Sequence, residues 1–202
     1  MKGYRPTIKQ PNYPSSPTKP LPLLEPAHLF QAIAGRSSCI SPLAEWAREL
    51  ADMHAELIPF KLEDTLRQRN PAEEQIRAAI DHAVNEIDAW TARNIPRTKG
   101  ARHHTHTLGE VISRIAKMYT EAWWTVLHSA DGETRHRAWF HLSEAREGYA
   151  DMVNEIRWGH LQLPLGWPGI RRDSNKAGQV SEFKRSRQGV KNASESQRIS
   201  AS

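Results

Sequence analysis

The sequence predicts an all-α fold, a helical bundle of four main helices with one or two short extra helices, and three observations carry that prediction. Apolar residues recur at alternating steps of three and four through four separate stretches between Leu43 and Ile156. No stretch shows the period-two alternation between turn residues that a sheet requires. The apolar residues also gather between about Leu21 and Trp167, which leaves prolines and charges to the two ends. A core-forming segment of roughly 145 residues is ample for a stable interior without disulfides.

Each helix has its own signal. A short helix is expected around Ala27–Ala34. Ser41-Pro42 starts the first long one, whose seam runs Leu43, Ala47, Leu50, His54 and Leu57. Asn70-Pro71 opens the second, with Ile76, Ile80, Ala83, Val84 and Ile87 on one side. The third has the clearest stripe, from Val111 and Ile112 through Ile115, Met118, Tyr119 and Ala122 to Trp123, Val126 and Leu127. Thr107 is its N-cap, and Glu110 three residues on completes a capping box. The fourth carries Leu142, Ala145, Tyr149, Met152 and Ile156 and stops at Gly159, a residue suited to the left-handed C′ position.

The domain plan follows from composition. Residues 1–26 hold seven prolines and read as a flexible Pro-rich arm. Residues 27–168 form the bundle domain, and residues 169–202 a disordered basic tail of Ser, Gly, Gln, Lys and Arg. The whole chain carries +5, of which residues 1–20 contribute +4 and residues 171–202 another +5, so the middle is mildly acidic at −4. A sequence pI of about 9.5 therefore describes the ends and not the bundle. Cys39 is the only cysteine, which excludes an internal disulfide and a cysteine-rich metal site. With no signal-peptide h-region and no apolar run long enough for a bilayer, the expected compartment is the cytoplasm, with no membrane partner.

Candidate chemistry is concentrated in a few places. Arg102-His103-His104-Thr105-His106-Thr107 precedes the strongest helix, and a His-x-His pair such as His104 and His106 supplies two imidazole ligands from one loop. The sequence assures no cofactor, and a divalent metal on these two histidines is the one it allows. The amides of the adjacent helix N-terminus would favour an anion such as phosphate. His54 falls on an apolar seam, so it should be buried and should take a partner from another helix, a carboxylate being the natural choice. Asp88 and Arg114 flank the apolar stripes of their helices and suit either a buried polar network or a pocket for an anionic ligand. Arg171, Arg172, Lys184, Arg185 and Arg187 are the candidate nucleic-acid contacts, through phosphate neutralisation. Seven tryptophans are many for this length, and Trp124 and Trp139 fall off the stripes, as residues of an exposed protein-binding surface would. The phosphate-binding, nucleophile-elbow and zinc-protease motifs of common enzymes are missing.

Several stretches resemble the domain of unknown function 4254 family of bacteria. They are Glu49-Leu-Ala-Asp-Met-His-Ala-Glu-Leu57, then Asn85-Glu-Ile-Asp-Ala-Trp90 with Pro96, then His104-Thr-His-Thr-Leu-Gly109 with Val111, Ile112 and Arg114. The last is Glu155-Ile-Arg-Trp-Gly159 with Leu163-Pro164, and together they span about residues 43–166. The chain departs from the family pattern where His106 replaces a glutamate, Glu110 a serine and Ser113 an aspartate. The resemblance implies an all-helical fold, an occurrence among actinobacteria and their phages, and a common site at His54, Asp88, His104, Gly109 and Arg114. It implies no activity.

Taken together, the residues point first to a non-enzymatic binding or regulatory protein acting through protein contacts, in the host cytoplasm if it is phage-encoded. A metal- or phosphate-binding hydrolase-like enzyme built on the histidines, Asp88 and Arg114 is the second reading. Nucleic-acid binding through the basic tails is the third.

Overall fold

Six helices make up nearly all of the regular structure in the computed structural model, which describes residues 21–38, 40–62 and 70–166. They are α1 (Pro26–Ile33), α2 (Pro42–Glu56), α3 (Ile58–Leu62), α4 (Pro71–Asn94), α5 (Leu108–His128) and α6 (Gly132–Arg157). The four long helices are the four that apolar spacing predicts, and α1 and α3 are the short extras. The compact unit they build ends at Gly166. None of the described helices is long and apolar enough to cross a bilayer. The five tail residues Arg171, Arg172, Lys184, Arg185 and Arg187 lie outside the described residues.

α5 is the centre of the bundle and packs against α2, α4 and α6, while α1 covers α2 and touches α6. Its core-facing residues Leu108, Ile112 and Ala116 are fully buried, together with Leu43, Ala47 and Leu50 of α2 and Ile87 of α4. Side chains three and four apart share a face of a helix, which is why one stripe per helix is enough to close this interior.

The helix ends follow local rules. Asn70 caps α4 by accepting the Ala72 N–H (3.0 Å), and Asp131 caps α6 by accepting the N–H groups of Glu133 (3.2 Å) and Thr134 (2.9 Å). Thr107 and Glu110 make the expected capping box on α5, at 3.1 and 2.8 Å. α6 ends in a Schellman motif: Gly159 has φ +72°, and the His160 N–H reaches the Glu155 carbonyl (2.9 Å).

The structure adds a detail that periodicity cannot show. Two-residue strands β1 (Arg102–His103) and β2 (Leu161–Gln162) pair in parallel, with Arg102 opposite Leu161. Two residues are too short to alternate, so this pair leaves no mark in the sequence. It nevertheless fixes the histidine loop to the chain leaving α6. The Arg102 N–H bonds the His160 carbonyl and the His104 N–H the Gln162 carbonyl, both at 2.9 Å. Arg102 also grips Glu155 with two 2.9 Å contacts.

The end of the segment assigned to the Pro-rich arm belongs to the fold. Leu23 and Leu24 are buried. The Tyr149 hydroxyl donates to the Leu24 carbonyl (3.0 Å), and Arg157 pairs with Glu25 (2.6 Å). Leu23 and Leu24 supply the apolar anchor that a proline count overlooks. Tyr149 is almost wholly enclosed, so Tyr149→Phe strands the Leu24 carbonyl without its donor. That variant should lose about 1–3 kcal/mol in urea unfolding with an unchanged denaturant slope.

Candidate functional site

A line of small and polar residues runs along α5 at steps of four: Gly109, Ser113, Lys117 and Glu121. Steps of four keep these residues on one side of the helix, so each meets a different neighbour as the helix passes along the bundle.

The first of the line is where α4 crosses α5. A Cβ on Gly109 would stand 2.5 Å from the Val84 carbonyl oxygen and 2.9 Å from Asp88 Oδ1, closer than any side chain can sit. Glycine is the residue that lets the two backbones approach this closely. Asp88 uses the approach to accept the Gly109 N–H (2.8 Å), and the nearby Thr107 hydroxyl also favours its charged form. A carboxylate at a helix N-terminus satisfies an orphan donor and faces the positive end of the dipole. The anion expected at this helix end is thus the protein's own Asp88. Burial pushes the Asp88 carboxyl above its usual pKa, and the Gly109 hydrogen bond and the nearby Thr107 hydroxyl only partly offset that rise.

One turn further on, His54 of α2 meets Ser113, with Nε2 3.0 Å from the buried serine hydroxyl. The partner does come from another helix, but it is a hydroxyl and not the expected carboxylate. With no anion beside it the imidazole is held neutral. Burial first, then the Lys61 and Lys117 ammonium groups, lower its pKa from 6.5 to about 4, against a smaller opposing effect of Glu121.

The next turn opens a cavity of about 270 Å³ between α2, α3, α4 and α5. His54, Lys61, Arg77, Asp81 and Lys117 line it over an apolar floor of Leu57 and Ile80. Lys61 pairs with Glu121, and Arg77 with Glu73 one turn earlier on α4.

The candidate residues named from sequence do not converge on one centre. His54 belongs to the cavity wall and Asp88 to the α5 cap. His104 stays in its loop, where Nδ1 lies 2.8 Å from the His106 carbonyl oxygen. His106 turns to the Thr105 hydroxyl (2.9 Å), and the two rings stand 5.9 Å apart. Among the described residues no group of three or more His, Cys, Asp or Glu side chains is placed to hold a metal. Arg114 is exposed and lines an open groove between α5 and α6 with Glu121, His141 and Glu144. Sequence reasoning missed Ser113, Lys61, Arg77 and Lys117. The step-of-four run through Gly109 was the available signal, but the cations come from three different helices.

A second feature lies at the far end of α5. The stripe Ile112, Ala116, Tyr119, Trp123 and Leu127 follows one side of the helix. Ile112 and Ala116 are buried, and Tyr119 meets Phe30 of α1 edge to face (6.3 Å). Beyond that contact the stripe continues without cover, with Trp123 42% and Leu127 62% exposed. Trp139 (41%) of α6 joins it, its ring standing edge to face on Trp123 at 6.4 Å, and Phe140 next to it in sequence is 54% exposed. Trp139 is exposed as its off-stripe position predicts. Trp124 is half-buried and stacks on His128 (4.5 Å), while Trp123, placed on the stripe, is the one left open.

No protein-family model, no curated protein and no solved structure matches the chain.

Two outcomes test this geometry. Gly109→Ala should cost about 1–3 kcal/mol, read by urea unfolding, because α4 and α5 must separate to admit the methyl group. For His54, folding lowers the proton affinity, so between pH 6.5 and about 4 the unfolded chain holds the extra proton. Stability should therefore fall as pH drops through that window, by on the order of 2 kcal/mol once solvent reaching the cavity side is allowed for. The difference between wild type and His54→Gln in urea midpoint from pH 7 to 4.5 isolates this effect from that of Asp88, whose raised pKa acts in the opposite direction.

Proposed function

We propose that this protein is a binding protein that acts through protein contacts, docking a helix of its partner on the uncovered end of the α5–α6 hairpin. The observation that carries the reading is the exposed aromatic pair Trp123 and Trp139, with Leu127 one turn beyond on α5 and Phe140 also exposed on α6. Large aromatic side chains in contact with one another and open to solvent are what interface anchors are made of. Monomeric proteins seldom leave such a group uncovered.

The chemistry of the partner follows from the spacing. Trp123 and Leu127 extend the side of α5 that faces α1 and α2 lower down the bundle. The space beside them is where another helix of the bundle would run. An amphipathic helix with anchors at three- and four-residue steps fits this ledge and completes the wall that α1 begins. In this reading the resemblance to the domain of unknown function 4254 family concerns the bundle that presents the hairpin. The histidine loop then serves to hold β1 and the α5 cap in place.

Trp139→Glu combined with Phe140→Glu should leave the helical content unchanged and the melting temperature within about 2 °C, since both side chains are exposed. A photo-crosslinking amino acid at position 139, in the protein expressed in its own cells, should give one discrete adduct mapped to a partner helix. An adduct with a second copy of this chain would make the partner the protein itself. Absence of any adduct, or the same adducts from a crosslinker at the exposed position Arg146, would remove the proposal.

A further inference from the structure

The cavity behind His54 has the makings of a ligand site that the hairpin reading does not use. Lys61, Arg77 and Lys117 reach its wall from α3, α4 and α5, three elements that meet only through folding. Cations that merely solvate a helix face would spread along one helix. These three surround a concave space with an apolar floor.

Among the described residues that line the cavity, three are cationic and one, Asp81, is anionic. Lys61 has Glu121 and Arg77 has Glu73, but neither glutamate lines the cavity. The guanidinium of Arg77 places Nε and Nη2 on Glu73 and retains further N–H donors. Among the described residues Lys117 forms no ion pair or side-chain hydrogen bond. At His54 the influence of the two lysines exceeds that of Glu121. A neutral imidazole in this position is a hydrogen-bonding wall that adds no charge of its own. The volume, about 270 Å³, falls just below the range of roughly 300–1,000 Å³ typical of drug-sized ligands.

We propose that this cavity binds a small phosphate-bearing anion, with Lys117 and Arg77 as its principal holders, Lys61 at the edge and His54 as the neutral wall. Three cations from separate elements match the several oxygens of a phosphate group better than the two of a carboxylate. The ammonium of Lys117 acts as a point charge and the remaining Arg77 donors fix the orientation. Asp81 sets a limit on the ligand, since it repels an anion large enough to fill that side of the cavity unless the ligand presents a hydroxyl there.

The test is a calorimetric titration of the full chain with inorganic phosphate and, separately, with glycerol phosphate, while the His54 ring signals are followed by NMR. Saturable binding is expected, with His54 shifting along the same curve. Lys117→Ala and Arg77→Ala should each weaken it about tenfold or more, while Arg137→Ala on α6 changes nothing. Both substituted cations are exposed, so the helical content of the variants should match wild type. Tighter binding of the ester would identify a phosphorylated metabolite, and equal binding free phosphate. Binding that survives both cavity substitutions, or that leaves His54 unmoved, would overturn the proposal, as would the absence of saturation at millimolar phosphate. The double variant at Trp139 and Phe140 should bind phosphate as wild type does, so failure here and failure of the docking surface are separate results.

Discussion

The close crossing of α4 over the first turn of α5 is the constraint on which the rest of the bundle depends. Without a side chain at Gly109, the Val84 carbonyl and the Asp88 carboxylate reach the start of α5, and the carboxylate takes up the Gly109 N–H. That contact sets the register of α5, and the consequences run down the helix at steps of four. Ser113 is delivered to His54, Lys117 to the cavity and Glu121 to Lys61. One glycine thus fixes the axial position of a polar line that is buried at Ser113 and reaches solvent at Lys117.

Burying the polar groups along this line has a cost, and the structure meets it at His54, Ser113 and Asp88 with hydrogen bonds instead of ion pairs. His54 and Asp88 are both buried, and neither has an opposite charge as its direct partner. No buried side-chain nitrogen or oxygen among the described residues lacks a hydrogen bond. A neutral His–Ser pair avoids the desolvation of two charges, which in low dielectric can exceed their attraction. The shifts are opposite in their pH consequence. Folding favours the neutral form of both groups, so Asp88 adds stability towards acid while His54 withdraws it.

The two surfaces that the bundle offers differ in physical character. The cavity is small and polar, with Lys61, Arg77, Lys117 and Asp81 on walls that come from four helices. The end of the α5–α6 hairpin is open and aromatic, because α5 outruns the helices that cover its lower turns. A stripe evenly apolar along its length is therefore half core and half surface, and it turns from buried to exposed between Tyr119, which meets Phe30 of α1, and Trp123.

The sequence by itself determined the four long helices, the α5 capping box, the C′ glycine at Gly159 and the burial of His54. These are local matters, settled by spacing along one helix or by residues within a turn of one another. It also determined that His54 must look to another helix, since its own neighbours face elsewhere. Only the tertiary structure decided that the partner is Ser113, that Asp88 serves as the cap of α5, and that Arg114 and His104 stand apart from both. It alone decided that Trp123 and Leu127 are bare, because an apolar stripe records which side of a helix faces inward but not how far the neighbouring helices extend. The cavity was equally illegible, because Lys61, Arg77 and Lys117 are unremarkable in their own helices and become a set only when α3, α4 and α5 come together.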